Sequence, residues 1–227
     1  MPQYRVWEDE YKKPAFVSKK AEPQADVLKF FKFIRKKHKI ELENLRVLDL
    51  GCGTGRNANY LAKLGNEVSG MEISDTALNI AKKRAEEENL KVNYFKQSIG
   101  ETYSFADNFF DLALDVMSSN SLNEKERKIY LQETQRVLKP GGLFFVKALC
   151  KDGDKNAKYL LKNFPGAEKD VYIMKGVGLA ERVFSQEDFR KIYGQFFQII
   201  EMHTKMNYNT INGIIYKRNY IVAYLKK

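Results

Sequence analysis

Two cysteines, Cys52 and Cys150, and two histidines, His38 and His203, are all that 227 residues contain. That is too few for a disulfide framework or a cysteine-built metal site, and it argues against structural zinc. No metal is expected, and both thiols are expected to be free in a reducing compartment. No apolar run approaches the ~18 residues of a membrane span. Residues 1–10 are polar and acidic, unlike a secretory signal. A cytoplasmic protein with no membrane partner is the expectation. Acidic residues are also short, 29 against 39 basic ones, leaving a net charge of +10. Such an excess suits nucleic acid, an anionic surface or an acidic substrate. Yet the basic residues are 29 Lys and only 10 Arg, and Arg is the residue favoured for fork-like phosphate recognition. The lysines are spread along segments that read as solvated helix faces. Charge alone therefore leaves nucleic acid open as a partner without favouring it.

What is present is globular composition, 44% hydrophobic and 30% charged, in a length that fits one domain or one domain with a cap. Residues 1–24 hold Pro2, Pro14 and Pro23, which argue against one long helix. They also hold Tyr4, Trp7, Tyr11 and Phe16, which argue for a segment that covers something apolar. Residues 25–39 carry a helical period through Val27, Leu28, Phe31 and Ile34. Residues 1–40 thus read as an N-terminal cap segment and helix, and residues 41–227 as the main domain.

An alternation of short apolar runs and amphipathic stretches follows. Strands are predicted at 45–50, 67–73, 92–96, 110–116 and 143–149, and helices at 56–64, 75–88 and 123–138. This βαβ rhythm implies a mainly parallel sheet with helices on both faces. Residues 151–182 are polar and Gly-rich without a clear period. Ser185 begins a capped helix through Tyr193. Residues 196–206 and 214–225 read as strands joined by residues 207–213, a link too short for a parallel return, hence an antiparallel hairpin.

The chemistry sits in the run DLGCGTG, residues 49–55, between the first strand and the following helix. Its glycines let the backbone turn sharply and approach a ligand, at the carboxyl end of a strand, where open α/β sheets bind ligands. Glu72 lies 21 residues after Gly51, at the end of the second strand, where an acid can accept both hydroxyls of a ribose. The glycines run G-x-G-x-G with Arg56 next, so neither the dinucleotide fingerprint nor the G-x-x-x-x-G-K-[ST] phosphate loop is matched. A nucleoside without a pyrophosphate fits better, and Asp49 suits a cationic group at its other end.

With VLDLGCGTG (47–55), GMEIS (70–74), FFDLAL (109–114) and RVLKPGGL (136–143) in order over residues 45–150, the chain resembles the class I S-adenosylmethionine-dependent methyltransferases. The resemblance implies a Rossmann-like, seven-stranded, mostly parallel sheet with a C-terminal antiparallel hairpin, and S-adenosylmethionine as cofactor. It implies that Asp49, Gly51, Cys52, Gly53 and Asn57 surround the methionine portion, that Glu72 binds the ribose and that Ile73 packs on the adenine. The family's acid near the end of strand three is missing from 96–101. Gln97, Ser98 or the backbone at Ile99 is expected to replace its contact to the adenine amino group. Residues 115–120 should line the transfer site, with Asp115 on both the cofactor and catalytic sides and Met117 and Ser118 towards the substrate.

The acceptor is less determined. Strand four ends in Asp115-Val-Met-Ser118, not the Asn/Asp-Pro-Pro-aromatic run of base-amino methylation, and neither cysteine has a Pro-Cys context. The cap and an insertion at 150–184 point to a small molecule, and short matches (Gly55 to Asn57, the Trp7 leader, Phe184 to Phe189) resemble the tellurite-resistance and thiopurine-type group. An RNA methyltransferase and a non-catalytic cofactor-binding protein are the alternatives. Asp115 and His203 are the candidate bases, and the weakness of both mildly favours an intrinsically nucleophilic acceptor. Arg182, Lys147 and Arg218 are candidates to steer an anion. Monomer and homodimer are both open.

Overall fold

A computed structural model describes residues 3–14, 20–211 and 214–227. Phe16, and Asn212 and Gly213 of the expected hairpin link, lie outside the described residues. The elements in chain order are α1 (Tyr4–Lys12), α2 (Ala25–His38), β1 (Arg46–Leu50), α3 (Arg56–Lys63), β2 (Glu67–Glu72), α4 (Asp75–Glu87), β3 (Val92–Lys96) and β4 (Phe110–Val116). After a 3-10 turn at Ser119–Ser121 come α5 (Glu124–Val137), β5 (Leu138–Cys150), α6 (Lys155–Asn163), β6 (Val171–Ile173), β7 (Ala180–Arg182), α7 (Gln186–Tyr193), β8 (Gln198–Ile211) and β9 (Ile214–Lys226).

One seven-stranded sheet runs in the order β3-β2-β1-β4-β5-β9-β8. The five strands from β3 to β5 are parallel, and β9 and β8 close the edge as an antiparallel hairpin. The Rossmann-like α/β fold expected from the sequence is therefore present. Strand order reverses between β1 and β4, so the crevice beyond their carboxyl ends is where such a sheet receives a ligand.

The strands read as near-continuous apolar runs because both faces are covered. Side chains alternate along each strand. Along β5, Leu143 and Phe145 join the core under α2 and α3, while Phe144, Val146 and Ala148 join the core under α5 and α7. On β9, Val222 and Tyr224 face the first core and Ile221, Ala223 and Leu225 the second. The aromatic side chain of Phe30 anchors α2, with ring centroids 5.3 Å from Phe145 and 4.9 Å from Tyr224. Helix starts follow their caps. Ser74 accepts from the Ala77 amide at α4, and Asn123 and Glu126 form a reciprocal capping box at α5, as that pair of side chains allows.

Residues 151–182, which show no period in the sequence, are ordered. Asp154 caps α6 by accepting from the Ala157 amide, and β6 and β7 pair antiparallel across Tyr172 and Glu181. Strands of three residues are too short to display a period. The segment has its own small core of Ala157, Tyr172, Met174, Leu179 and Val183, packed on Leu149 and Tyr220. The hairpin strands also run further than expected, with Asn207 paired to Arg218 and Tyr208 to Lys217.

Phe30→Ala should cost about 3–5 kcal/mol of stability, the range for deleting a fully buried aromatic. Urea unfolding monitored by circular dichroism would measure it.

Candidate functional site

Beyond the carboxyl ends of β1, β2 and β4 lies a cleft of about 1390 Å³. Ligand pockets generally run to about 1000 Å³, so the space is ample for two molecules side by side. The glycine loop forms its floor. Gly53 has φ +54°, and a Cβ there would stand 2.6 Å from the Tyr11 hydroxyl, so only glycine fits both the turn and the approach. Gly51, also at positive φ, lies against Ser118, whose Oγ donates to the Gly51 carbonyl at 3.2 Å.

Glu72 fastens this floor. Its Oε2 accepts from the Gly53 amide at 3.0 Å, and its Oε1 accepts from the amides of Ile73 at 2.7 Å and Ser74 at 2.9 Å. Burial raises its pKa, opposed by those three amides. Asp49 lies at the other end of the loop. It is buried, its Oδ2 has no hydrogen-bond partner, and burial raises its pKa to about 7, with the Ala58 amide pulling the other way. Cys52 is buried beside it, its thiol pushed well up by burial and so not a thiolate. Asn57 accepts from the Gln24 amide at 3.1 Å, joining the loop helix to the start of α2.

Ile73, Gln97, Ser98 and Ile99 all border the cleft. The Gln97 amide is spent on the Thr102 carbonyl at 2.6 Å, and Ser98 Oγ accepts from the Gly100 amide at 3.1 Å. The structure adds Glu126 to this end of the cleft, an acid that its capping box places there and that could have been sought from the Asn123-to-Glu126 spacing.

Three expected site residues are placed elsewhere. Asp115 does not border the cleft. It is fully buried, with Oδ1 accepting from the amides of Ser118 at 2.8 Å and Ser119 at 3.3 Å, and Oδ2 from the Tyr130 hydroxyl at 2.6 Å. Its carboxylate shapes the turn after β4 and is not available as a base or a cofactor contact. His203 is half-exposed on β8, edge-on to Tyr224 and 3.8 Å from Glu201, and likewise outside the cleft. Arg182 stacks over the Phe184 ring at 5.1 Å, pointing away from the cleft because neighbours on β7 alternate in direction. Met117 and Ser118 do border it.

The far wall carries charge that the sequence only half revealed. Asp26, at the start of α2, accepts from Lys147 Nζ at 2.9 Å and Lys205 Nζ at 2.6 Å. The two ammonium groups hold Asp26 below the usual carboxylate range against the opposing effect of burial. Arg218 Nη2 donates to the Tyr172 hydroxyl at 2.6 Å, which in turn donates to Glu181 Oε2 at 2.6 Å.

Helix α1 roofs the cleft with Trp7 and Tyr11. Glu8 holds it down on the N-terminus of α4, accepting from Ser74 Oγ at 2.7 Å, Thr76 Oγ1 at 2.7 Å and the Thr76 amide at 3.1 Å. Acids are favoured at that end of a helix. The Tyr4 hydroxyl donates to Asp75 at 2.8 Å. Before the helix, Gln3 donates to the carbonyls of Ser121 at 2.6 Å and Ala180 at 2.9 Å.

Glu8→Ala should speed amide hydrogen exchange across residues 4–12 while leaving β1 and β4 protected. Those donors lower the Glu8 pKa from 4.5 to about 2. A lowered carboxyl stabilises the folded form fully above its unfolded value, so the roof should stay clamped above about pH 4.5 and loosen as pH falls through about 2.

Comparison with known proteins agrees with this fold. Residues 47–142 match the family model described as a methyltransferase domain. The ubiquinone biosynthesis O-methyltransferase of Brucella ovis is 29% identical over 157 residues, which are 66% of this chain and 62% of that protein. The chain thus spans somewhat under two thirds of the curated relative it matches. A S-adenosylmethionine-dependent methyltransferase structure from Methanosarcina mazei superposes with a TM-score of 0.74 at 23% identity, covering 90% of this chain and 98% of the other. The 1,6-didemethyltoxoflavin-N1-methyltransferase of Burkholderia thailandensis, solved with bound S-adenosylhomocysteine, superposes at 0.64 with 15% identity over 100% of this chain and 84% of its own. Residues 47–142 thus carry a methyltransferase domain, and the fold around it is that of S-adenosylmethionine-dependent methyltransferase structures.

Proposed function

We propose that the protein binds S-adenosylmethionine along the glycine loop and transfers its methyl group to a small molecule in the same cleft. The observation that carries this is Asp49 Oδ2, a buried carboxylate oxygen left without a donor beside a loop shaped for close approach. A buried acceptor without a partner costs free energy, and the ammonium of a methionine moiety would relieve it. Glu72, already oriented by three amides, is the group to hold the ribose, and Ile73, Ser98 and Ile99 border the adenine end. Gly51, Cys52, Gly53 and Asn57 complete the methionine side.

The cofactor supplies a methyl group on a cationic sulfur. The protein's part is proximity and alignment, with water kept out by the roof of α1. Met117 and Ser118 border the transfer point from the end of β4. The cleft has room for an acceptor beside the cofactor, and its far wall presents Lys147 and Arg218 but not Arg182. A cleft roofed by an N-terminal helix suits a small molecule better than RNA. The region 1–40 acts as a cap on a domain formed by 41–227, with 150–184 as its substrate-side insertion.

Calorimetry with S-adenosylmethionine tests the reading. Binding should strengthen as pH rises through about 7, because a carboxyl raised to that value must ionise to meet the ammonium. Asp49→Asn should flatten this dependence, and Glu72→Ala should weaken binding at every pH. No binding at all, or undiminished binding by Glu72→Ala, would refute the proposal. Release of S-adenosylhomocysteine across phenols, thiols, small amines, chalcogen oxyanions and bulk tRNA should select a small acceptor. Preference for tRNA with a steep salt slope would reverse that choice.

A further inference from the structure

We propose that Glu181 is the general base of the cleft and that the acceptor it serves bears an acidic hydroxyl, phenolic or enolic. This rests on the methyl-transfer reading above and names the chemistry of its second substrate. Glu181 sits at the centre of β7, opposite Tyr172 on β6. It is buried yet borders the cleft. Its Oε2 takes the Tyr172 hydroxyl, and among the described residues Oε1 accepts no hydrogen bond. One oxygen is thus held in place and the other left for a donor from the cleft.

The supporting groups fix that geometry. Arg218, from β9, donates to the Tyr172 oxygen, and its Nε stands 3.7 Å from Asp154, the cap of α6. Asp154 is itself occupied by the amides of Ala157 and Asn219, both at 2.8 Å. From the N-terminal side, Gln3 accepts from the Ala180 amide at 2.8 Å and donates to Ser121, so β7 is tied to the turn that follows β4. That turn leads directly from Met117 and Ser118, which border the transfer point. Lys147 and Lys205 with Asp26 also line the cleft.

The other candidates are spent. Asp115 is enclosed, His203 faces outward, and Asp26 is neutralised between two ammonium groups. Burial raises the proton affinity of Glu181, with Arg218 and Tyr172 only partly opposing, and unlike Asp115 it borders the cleft. A base improves as its pKa approaches the working pH. Lys147, Lys205 and Arg218 disfavour a cationic amine acceptor and favour a hydroxyl that gains negative charge as it reacts. This reverses the preference for a soft acceptor that follows from the sequence, which showed no adequate base.

The step balances without any further reagent. A lone pair of the hydroxyl oxygen forms the new carbon–oxygen bond to the methyl carbon as the carbon–sulfur bond breaks, and that pair remains on sulfur. The hydroxyl proton passes to Glu181 Oε1. The products are a methyl ether, neutral S-adenosylhomocysteine and a protonated Glu181, which returns its proton to solvent.

The test combines a spectrum with turnover, on the full chain. Infrared difference spectra of wild type against Glu181→Gln would isolate the Glu181 carboxyl band, which should persist above the ordinary glutamate value of 4.5. Tyr172→Phe, which removes a donor to the ionised form, should move its titration higher still. With catechol as the hydroxyl probe, Glu181→Gln should lower kcat by roughly 10²–10⁴-fold and abolish the acidic limb of the pH profile, while the S-adenosylmethionine Kd stays unchanged. The inference is overturned if the carboxyl titrates at its ordinary value, if Glu181→Gln methylates catechol as fast as wild type, or if only thiophenol is methylated. Failure of the wild type to bind S-adenosylmethionine would bring down the methyl-transfer reading, and this inference with it.

Discussion

The glycine loop and the entry to α4 both hang on the carboxylate of Glu72 at the end of β2. Burying it removes its hydration, a cost that only hydrogen bonds to the charged form can offset. The three amides that do so come from the glycine loop and the entry to α4. One side chain therefore sets the position of two segments at once. The roof depends on the same place, since Glu8 occupies the next donors along the α4 N-terminus. The two carboxylates repel, and Glu8 contributes to the raised pKa of Glu72. Floor and roof of the cleft thus meet at one helix end, and a ligand that engages Glu72 acts within reach of the contact that holds the roof closed.

The charged wall of the cleft has a different origin. Its charges come from α2, β5, β7, β8 and β9, and they meet only because the insertion folds back over the ends of β5 and β9. Three cations meet two acids in the cleft lining, but unequally. Asp26 is shared by two lysines, whereas Glu181 faces Arg218 through the Tyr172 hydroxyl. Burial raises the proton affinity of Glu181, which Arg218 reaches only through that hydroxyl, whereas the two lysines lower that of Asp26. Two carboxyl groups in one cleft are thereby driven to opposite protonation behaviour by what touches them.

The parallel sheet was legible because its strands are buried on both faces and its helices carry strong caps. β3 and β4 have the expected bounds, β1, β2 and β9 differ by one residue, and β5 begins and β8 ends five residues beyond the expected limits. The glycine loop was legible because close backbone approach admits only one residue type. The insertion was not, since three-residue strands and a helix announced by Asp154 alone leave no period to read. Asp115 misled because its position after β4 says nothing of whether the carboxylate faces the cleft or its own turn. The amides of Ser118 and Ser119 and the Tyr130 hydroxyl decided that. His203 misled because a strand's two faces are equivalent until neighbouring strands are in place, and Arg182 was set the other way by the same alternation.

By itself the sequence determined the fold, the glycine loop and the two acids that flank it. Those features are local or periodic, being written in residues a few positions apart. Only the tertiary structure decided which carboxylate can take a proton. That property depends on burial and on partners from distant strands, and no spacing along the chain encodes the meeting of Tyr172, Glu181 and Arg218.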